Sequence, residues 1–152
     1  MSRPFVLRNT IRFSHTDPAS YVFFPRYFEM LQAAVEEWFT QALGVNYADL
    51  ILKEKLGLPT ARTECEFLKP SRLGENLDLA VYLEKIGRSS MRLTFVGTVE
   101  GEIRLHAQSV LVVIELADGR PVAIPEALRE QMLAYQKRQG PIPARPALRS
   151  QA

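Results

Sequence analysis

The stretch FSHTDPASYVFFPRYF, residues 13–28, gathers the side chains best suited to chemistry in this chain. Asp17 is a carboxylate set among aromatic residues and braced by Pro18. An ionised carboxylate can attack an acyl carbonyl or take a proton from water. Pro25 suits the first position of a helix, which leaves Phe24 as its cap. Phenylalanine has no side-chain oxygen to offer the backbone N–H groups at a helix start. Those donors, with the positive end of the helix dipole, must find water, a protein group or a ligand. Such a terminus can hold a developing oxyanion. Asp-Pro is equally the start of an Asx-turn, so the residues alone leave Asp17 either a turn former or a reactive carboxylate. His15 lies two residues earlier and shares a side with Asp17 if the loop is strand-like. It either orients Asp17 or is a structural histidine.

Other chemistries lack their residues. There is no G-x-S-x-G and no glycine-rich phosphate loop. Two histidines, His15 and His106, and a single cysteine give no metal-ligand cluster, so no metal is expected. Cys65 falls on the apolar face of an expected strand and reads as an inert core thiol. His106 reads as a sheet residue. One cysteine also excludes an internal disulfide framework. Nineteen basic against seventeen acidic residues are too balanced to indicate a nucleic-acid partner. The N-terminal MSRPFVLRNTIRF carries no continuous apolar stretch of the signal-peptide kind. VLVVI at 110–114, the longest aliphatic run, is far short of the ~20 residues a membrane span requires. A soluble cytoplasmic protein without a membrane partner is expected.

The elements that must position Asp17 follow from periodicity. Residues 5–13 read as a first strand. Phe24, Tyr27, Phe28, Leu31, Ala34, Val35, Trp38, Phe39 and Ala42 then recur at three- and four-residue steps, a helix stripe that Gly44 stops. A short helix is expected over 46–55. In 60–68, Ala61, Thr63, Cys65 and Phe67 alternate with Thr60, Arg62, Glu64 and Glu66. Further strands are expected at 77–86, from Met91 to Val99 and at 103–116, with turns at KPSRLGEN, at Gly101 and at Asp118-Gly119. A terminal helix is expected to begin at Pro125. The 152 residues form one domain over 1–140, followed by a tail at 141–152 rich in proline and arginine. Strand, long helix and a run of antiparallel strands make the fold class α+β, one long helix wrapped by a curved sheet.

FSHTDPASYVFFPRYFEMLQ resembles the opening motif of the 4-hydroxybenzoyl-CoA thioesterase-like hotdog family, a strand followed by D-P-A-G-[IV]-V-aromatic-aromatic-P-x-Y-aromatic. EFLKPSRLGENL is similar to that family's F-x-x-P-x-x-x-G-D-x-L, and IGRSS at 86–90 matches its next strand junction. The likeness spans roughly residues 5–125. It implies a hotdog fold of five to six strands with a C-terminal helix, acting on acyl-CoA thioesters. It also implies a homodimer or homotetramer with active sites at subunit interfaces. Coenzyme A would be part of the substrate, and no separate cofactor is implied. Carried over by position, Asp17 becomes the nucleophile or general base, and the backbone N–H of Phe24 polarises the thioester carbonyl. Arg88, Ser89 and Ser90 fall where relatives contact the CoA arm, an arginine being suited to phosphate. Thr60 is a candidate pocket residue. Arg145 and Arg149 in the tail are basic groups that could also meet a nucleotide phosphate.

The chain departs from the family pattern in three places. Ser20 replaces a glycine. Phe23 and Phe24 stand where the branch acting on short aliphatic chains has Tyr-His, which points to an aromatic or bulky acyl group such as benzoyl. Gln32 occupies the helix position where the 4-hydroxybenzoyl enzymes carry an acid. Two other functions fit the same fold. A hydratase or dehydratase of acyl thioesters would need a histidine on the long helix, which this one lacks. A non-catalytic acyl-CoA-binding module would bind the ester without releasing thiol.

Overall fold

The computed structural model describes residues 2–146. In chain order the elements are β1 (Phe5–Thr10), a 3-10 turn (Phe13–His15), α1 (Pro25–Glu37), α2 (Tyr47–Leu52), β2 (Leu56–Gly57) and β3 (Thr60–Phe67). β4 (Asn76–Ile86), β5 (Ser90–Val99), β6 (Glu102–Val112), β7 (Ile114–Glu115) and α3 (Glu126–Arg138) follow. Five strands form one antiparallel sheet in the order β1-β4-β5-β6-β3, and β2 pairs with β7 beside it. The α+β expectation and the C-terminal helix are both met.

α1 lies on the inner face of this sheet because both carry large apolar side chains there. Leu77, Leu79, Val81 and Leu83 of β4 and Met91, Leu93 and Phe95 of β5 are buried with Leu31, Ala34, Val35, Trp38 and Phe39. Each large apolar side chain so enclosed stabilises by roughly 1.5–3 kcal/mol. Met30 is buried as well, while Phe24 and Phe28, placed in the same stripe by periodicity, stay 60% and 36% exposed. Tyr27 of the same turn is buried, so only part of the expected stripe faces the core there. Past Glu37 the helix loosens into a π turn over Trp38–Ala42, where the Leu43 N–H donates to the Trp38 carbonyl, and Gly44 at φ +70° ends it.

The element boundaries shift for local reasons. β1 ends at Thr10, although the Ile11 N–H still donates to the Glu75 carbonyl at 2.8 Å, one step on in the same register. α2 is shorter than expected, capped by the Asn46 side chain on the Asp49 N–H. The long strand over 103–116 breaks at Val113, whose N–H goes to Ser89. Pro125 is the extended cap of α3 and not its first residue. The Glu100-Gly101 turn has φ of +48° and +81°, positive at both positions, as a type I′ hairpin requires.

Candidate active site

Asp17 sits on a small hairpin that leads into α1. The Asp17 N–H donates to the Tyr21 carbonyl and the Phe23 N–H to the His15 carbonyl, each at 2.9 Å, which sets Thr16 opposite Val22. Val22 is buried and anchors the hairpin in the core. The Ser20 N–H returns to the Asp17 carbonyl at 2.9 Å, closing the tip. The Ala19 N–H donates to Asp17 Oδ1 at 2.9 Å. The Asx-turn is therefore real, and it occupies one carboxylate oxygen. Oδ2 has no protein donor among the described residues, and the residue is half-buried.

At the helix start the backbone has one donor to spare. Phe24 already has helical angles, φ −53° and ψ −34°. The Arg26 N–H closes on the Phe23 carbonyl at 2.8 Å and the Tyr27 N–H on the Phe24 carbonyl at 3.1 Å. Pro25 has no N–H. The Phe24 N–H has no protein acceptor among the described residues. Sequence reasoning expected several open donors here; a 3-10 first turn reduces them to this one.

Beside the Phe24 end of this segment stands an aromatic wall. Phe67, at the end of β3, lies 5.2 Å from Tyr27, 6.4 Å from Phe28 and 6.5 Å from Phe24, and Phe23 is 5.9 Å from Phe24. Phe67 is 43% exposed. Its role was missed from sequence, although EFLKP carries it. Next to the wall, a cavity of ≈ 190 Å³ opens between α1 and the inner sheet face. Phe28, Leu31, Val35 and Phe95 form its apolar sides; Gln32, Thr60, Thr63 and Ser109 supply its polar groups. Thr63 and Ser109 share a hydrogen bond of 2.9 Å, and Gln32 donates to Glu36 at 3.1 Å.

Thr60 reaches this cavity through a bulge. It pairs with Leu111 while Arg62 pairs with Val110, so Ala61 is the extra residue. Simple alternation put Thr60 on the face opposite Thr63; the bulge turns both inward.

The remaining expected site residues lie elsewhere. Arg88, Ser89 and Ser90 form the β4–β5 hairpin at the Thr60 end of the sheet, whereas Asp17 is at the Phe67 end. The eight residues of β3 separate the two groups by roughly 23 Å at ~3.3 Å per residue. The hairpin backbone is pinned: the Arg88 carbonyl accepts from Ile124, and Arg129 Nη2 donates to the carbonyls of Gly87 and Arg88 at 2.8 and 3.1 Å. His15 accepts the Arg12 N–H on Nδ1 at 2.9 Å, with no hydrogen bond to Asp17 among the described residues. Burial pushes the Cys65 thiol up to about 11, which keeps it protonated and unreactive. His106 points from the outer sheet face, away from the cavity, and burial holds it below its ordinary range. Arg145 pairs with Glu66 on that outer face. Arg149 lies outside the described residues.

Residues 11–132 match the family model described as the thioesterase-like superfamily. The chain belongs to that superfamily. A 1,4-dihydroxy-2-naphthoyl-CoA hydrolase of Nostoc punctiforme is 25% identical over 124 residues, 82% of this chain and 83% of that protein. The solved structure of a gentisyl-coenzyme A thioesterase superposes with a TM-score of 0.78 at 22% identity, over 84% of this chain and 99% of that one. A thioesterase from Thermus thermophilus, solved with coenzyme A and Zn, gives a TM-score of 0.76 at 29% identity, over 90% of this chain and 97% of that one. The chain is an acyl-CoA thioester hydrolase of the hotdog type.

Proposed function

We propose that this hydrolase acts on aryl-CoA thioesters, with Asp17 as nucleophile or general base and the Phe24 N–H as oxyanion donor. The observation that carries this is the pairing on one short hairpin of a carboxylate oxygen without a protein donor and an amide hydrogen without a protein acceptor. A thioester carbonyl bound across them would place its oxygen at the Phe24 N–H and its carbon toward Asp17. The carboxylate either adds to that carbon or takes a proton from the water that does. The tetrahedral oxyanion is held by the amide hydrogen, and its collapse expels CoA as the thiolate. The water route leaves the free acid; the nucleophilic route leaves an Asp17 mixed anhydride that water then cleaves to acid and free Asp17. A thiolate leaves readily, so no third catalytic group is demanded. One such donor is worth about 2.7–4 kcal/mol of transition-state stabilisation.

The acyl group is argued from the walls. Phe23, Phe24, Phe28 and Phe67 offer flat apolar contact to an aromatic ring, and the polar groups in the adjoining cavity suit ring hydroxyls. The names of the relatives, a dihydroxynaphthoyl-CoA hydrolase and a gentisyl-CoA thioesterase, run in the same direction.

The CoA arm requires a second copy. β3 is an edge strand of eight residues with no strand neighbour on its outer side among the described residues. Pairing two β3 strands antiparallel about a two-fold axis continues the sheet and removes an exposed edge. It also brings the Phe67 end of one copy beside the Thr60 end of the other. Asp17 and Phe24 would then face Arg88, Ser89 and Ser90 of the partner, with the arginine suited to a CoA phosphate.

The test is thiol release across benzoyl-, hydroxybenzoyl-, dihydroxynaphthoyl- and short aliphatic acyl-CoAs, with wild type beside Asp17→Asn. Asp17→Asn should keep KM and lower kcat by about 100-fold or more. Wild-type turnover in that variant would remove Asp17 from the mechanism. Binding without thiol release in the wild type would instead mark a binding module, and enoyl-CoA hydration a hydratase.

A further inference from the structure

Four elements meet behind the Asp17 hairpin, and one guanidinium organises them. Arg104 on β6 is only 12% exposed. Its Nη1 and Nη2 form a fork onto the Glu75 carboxylate at 3.1 and 3.0 Å, Nη1 also reaches the Pro70 carbonyl at 2.9 Å, and Nε donates to Glu102 at 2.7 Å. Glu75 Oε1 in turn accepts the Arg72 N–H at 2.6 Å. The Arg104 carbonyl takes the N–H groups of Leu68 and Lys69. The whole turn between β3 and β4 is thus wound on Arg104 and Glu75.

The other side of that turn grips the catalytic hairpin. The Val22 N–H donates to the Ser71 carbonyl at 2.9 Å, and the Leu73 N–H donates to the Ser20 carbonyl at 3.1 Å. Arg72 donates to the Tyr21 hydroxyl at 3.0 Å and lies over the Tyr21 ring. The Ser71 N–H reaches the Tyr27 hydroxyl on α1 at 3.3 Å. Tyr21 is the residue whose carbonyl holds the Asp17 N–H. Displacing Ser71 or Leu73 therefore displaces Asp17 relative to the Phe24 amide.

We infer that Arg104 and Glu75 are positioning residues for thioester hydrolysis, fixing the turn that sets the carboxylate against the oxyanion donor. This rests on the assignment of Asp17 above. Neither side chain lies at the aromatic wall or the cavity, so their effect is on geometry and not on binding. A shift of about 1 Å at a reacting group can cost ~100-fold in rate. Lysine cannot replace the arginine, because one ammonium cannot hold both carboxylate oxygens and the Pro70 carbonyl in a planar fork.

Arg104→Lys and Glu75→Gln test this with CoA release, circular dichroism and amide spectra. Both are expected to lower kcat about 10- to 100-fold with KM within about threefold, and the double variant should be no slower than the worse single one, since the pair acts as a unit. The Ser20 and Val22 amide signals should shift in Glu75→Gln. Lys69→Ala, which removes only the exposed partner of Glu102, should stay within twofold of wild type. Folded Arg104→Lys and Glu75→Gln enzymes with wild-type kcat would overturn the inference, as would a loss confined to KM. Should Arg104→Lys fail to fold, Glu75→Gln decides alone, because it keeps the side chain's shape. An active Asp17→Asn enzyme would sink the assignment of Asp17, whereas unmoved Ser20 and Val22 signals would sink only the buttress.

Discussion

At Ser20 the backbone has φ +68°, a left-handed conformation that costs a side-chain-bearing residue roughly 1–2 kcal/mol. The two hydrogen bonds of Ser20, its N–H to Asp17 and its carbonyl from Leu73, fix that angle. This explains why the similar family motif carries glycine there, and why serine, small and polar, is accepted. Ser20→Gly should leave activity unchanged and melt at or slightly above the wild type, while Ser20→Val should melt a few degrees lower and hydrolyse more slowly. Thermal melts run beside thiol-release assays check both, and an unimpaired Ser20→Val enzyme would show that the tip conformation does not matter. Asp17 itself was legible in the sequence as two alternatives, turn former or reactive group. The structure shows that the two are compatible, because a carboxylate has two oxygens and the turn takes one. What the residues could not reveal was which oxygen stays open, since that depends on the Ala19 amide and on the cross-strand bond to Tyr21.

Periodicity located the long helix and the five strands of the main sheet, because each depends on residues close in sequence. It failed where an element's geometry is imposed by a neighbour. The bulge at Ala61 exists through pairing with β6, a strand about fifty residues away, and no local pattern announces it. It turns Thr60 and Thr63 together toward the cavity, where Thr63 bonds Ser109. Thr63→Val keeps the shape and deletes one hydroxyl. If those hydroxyls read a substituent on the acyl ring, KM for hydroxylated aryl-CoAs should rise severalfold while KM for benzoyl-CoA stays near its wild-type value. Equal changes for both substrates would assign the Thr63–Ser109 pair to packing alone. The exposed aromatics of α1 are a second case. Phe24 and Phe28 belong to the apolar stripe by spacing, yet Tyr27 is the aromatic of that turn that is buried, and the two phenylalanines meet Phe67 at the surface.

On the scale of the whole molecule, the proposed reading puts the two halves of a site at opposite ends of one chain's sheet. Asp17, Phe24 and the aromatic wall stand at the Phe67 end of β3, and Arg88 with its hairpin stands at the Thr60 end. A single copy has no way to bring them together, because the rigid strand between them fixes their separation. An antiparallel pair of copies has two ways, related by the two-fold axis, and so two equivalent sites. That arrangement makes a distinctive forecast for mixed subunits. Asp17→Asn should be slow at every substrate concentration, and Arg88→Ala should be slow at low acyl-CoA because it loses a phosphate contact. Unfolded together in equal amounts and refolded, half of the dimers contain one copy of each. In such a dimer one site collects both defects and the other collects neither. Activity at low acyl-CoA should therefore recover to about a quarter of wild type, although neither variant alone approaches it. Mixing the folded proteins without exchange should recover nothing. If refolded mixtures gave only the average of the two variants, each site would have to draw Asp17 and Arg88 from the same chain, and the paired-β3 arrangement would be wrong.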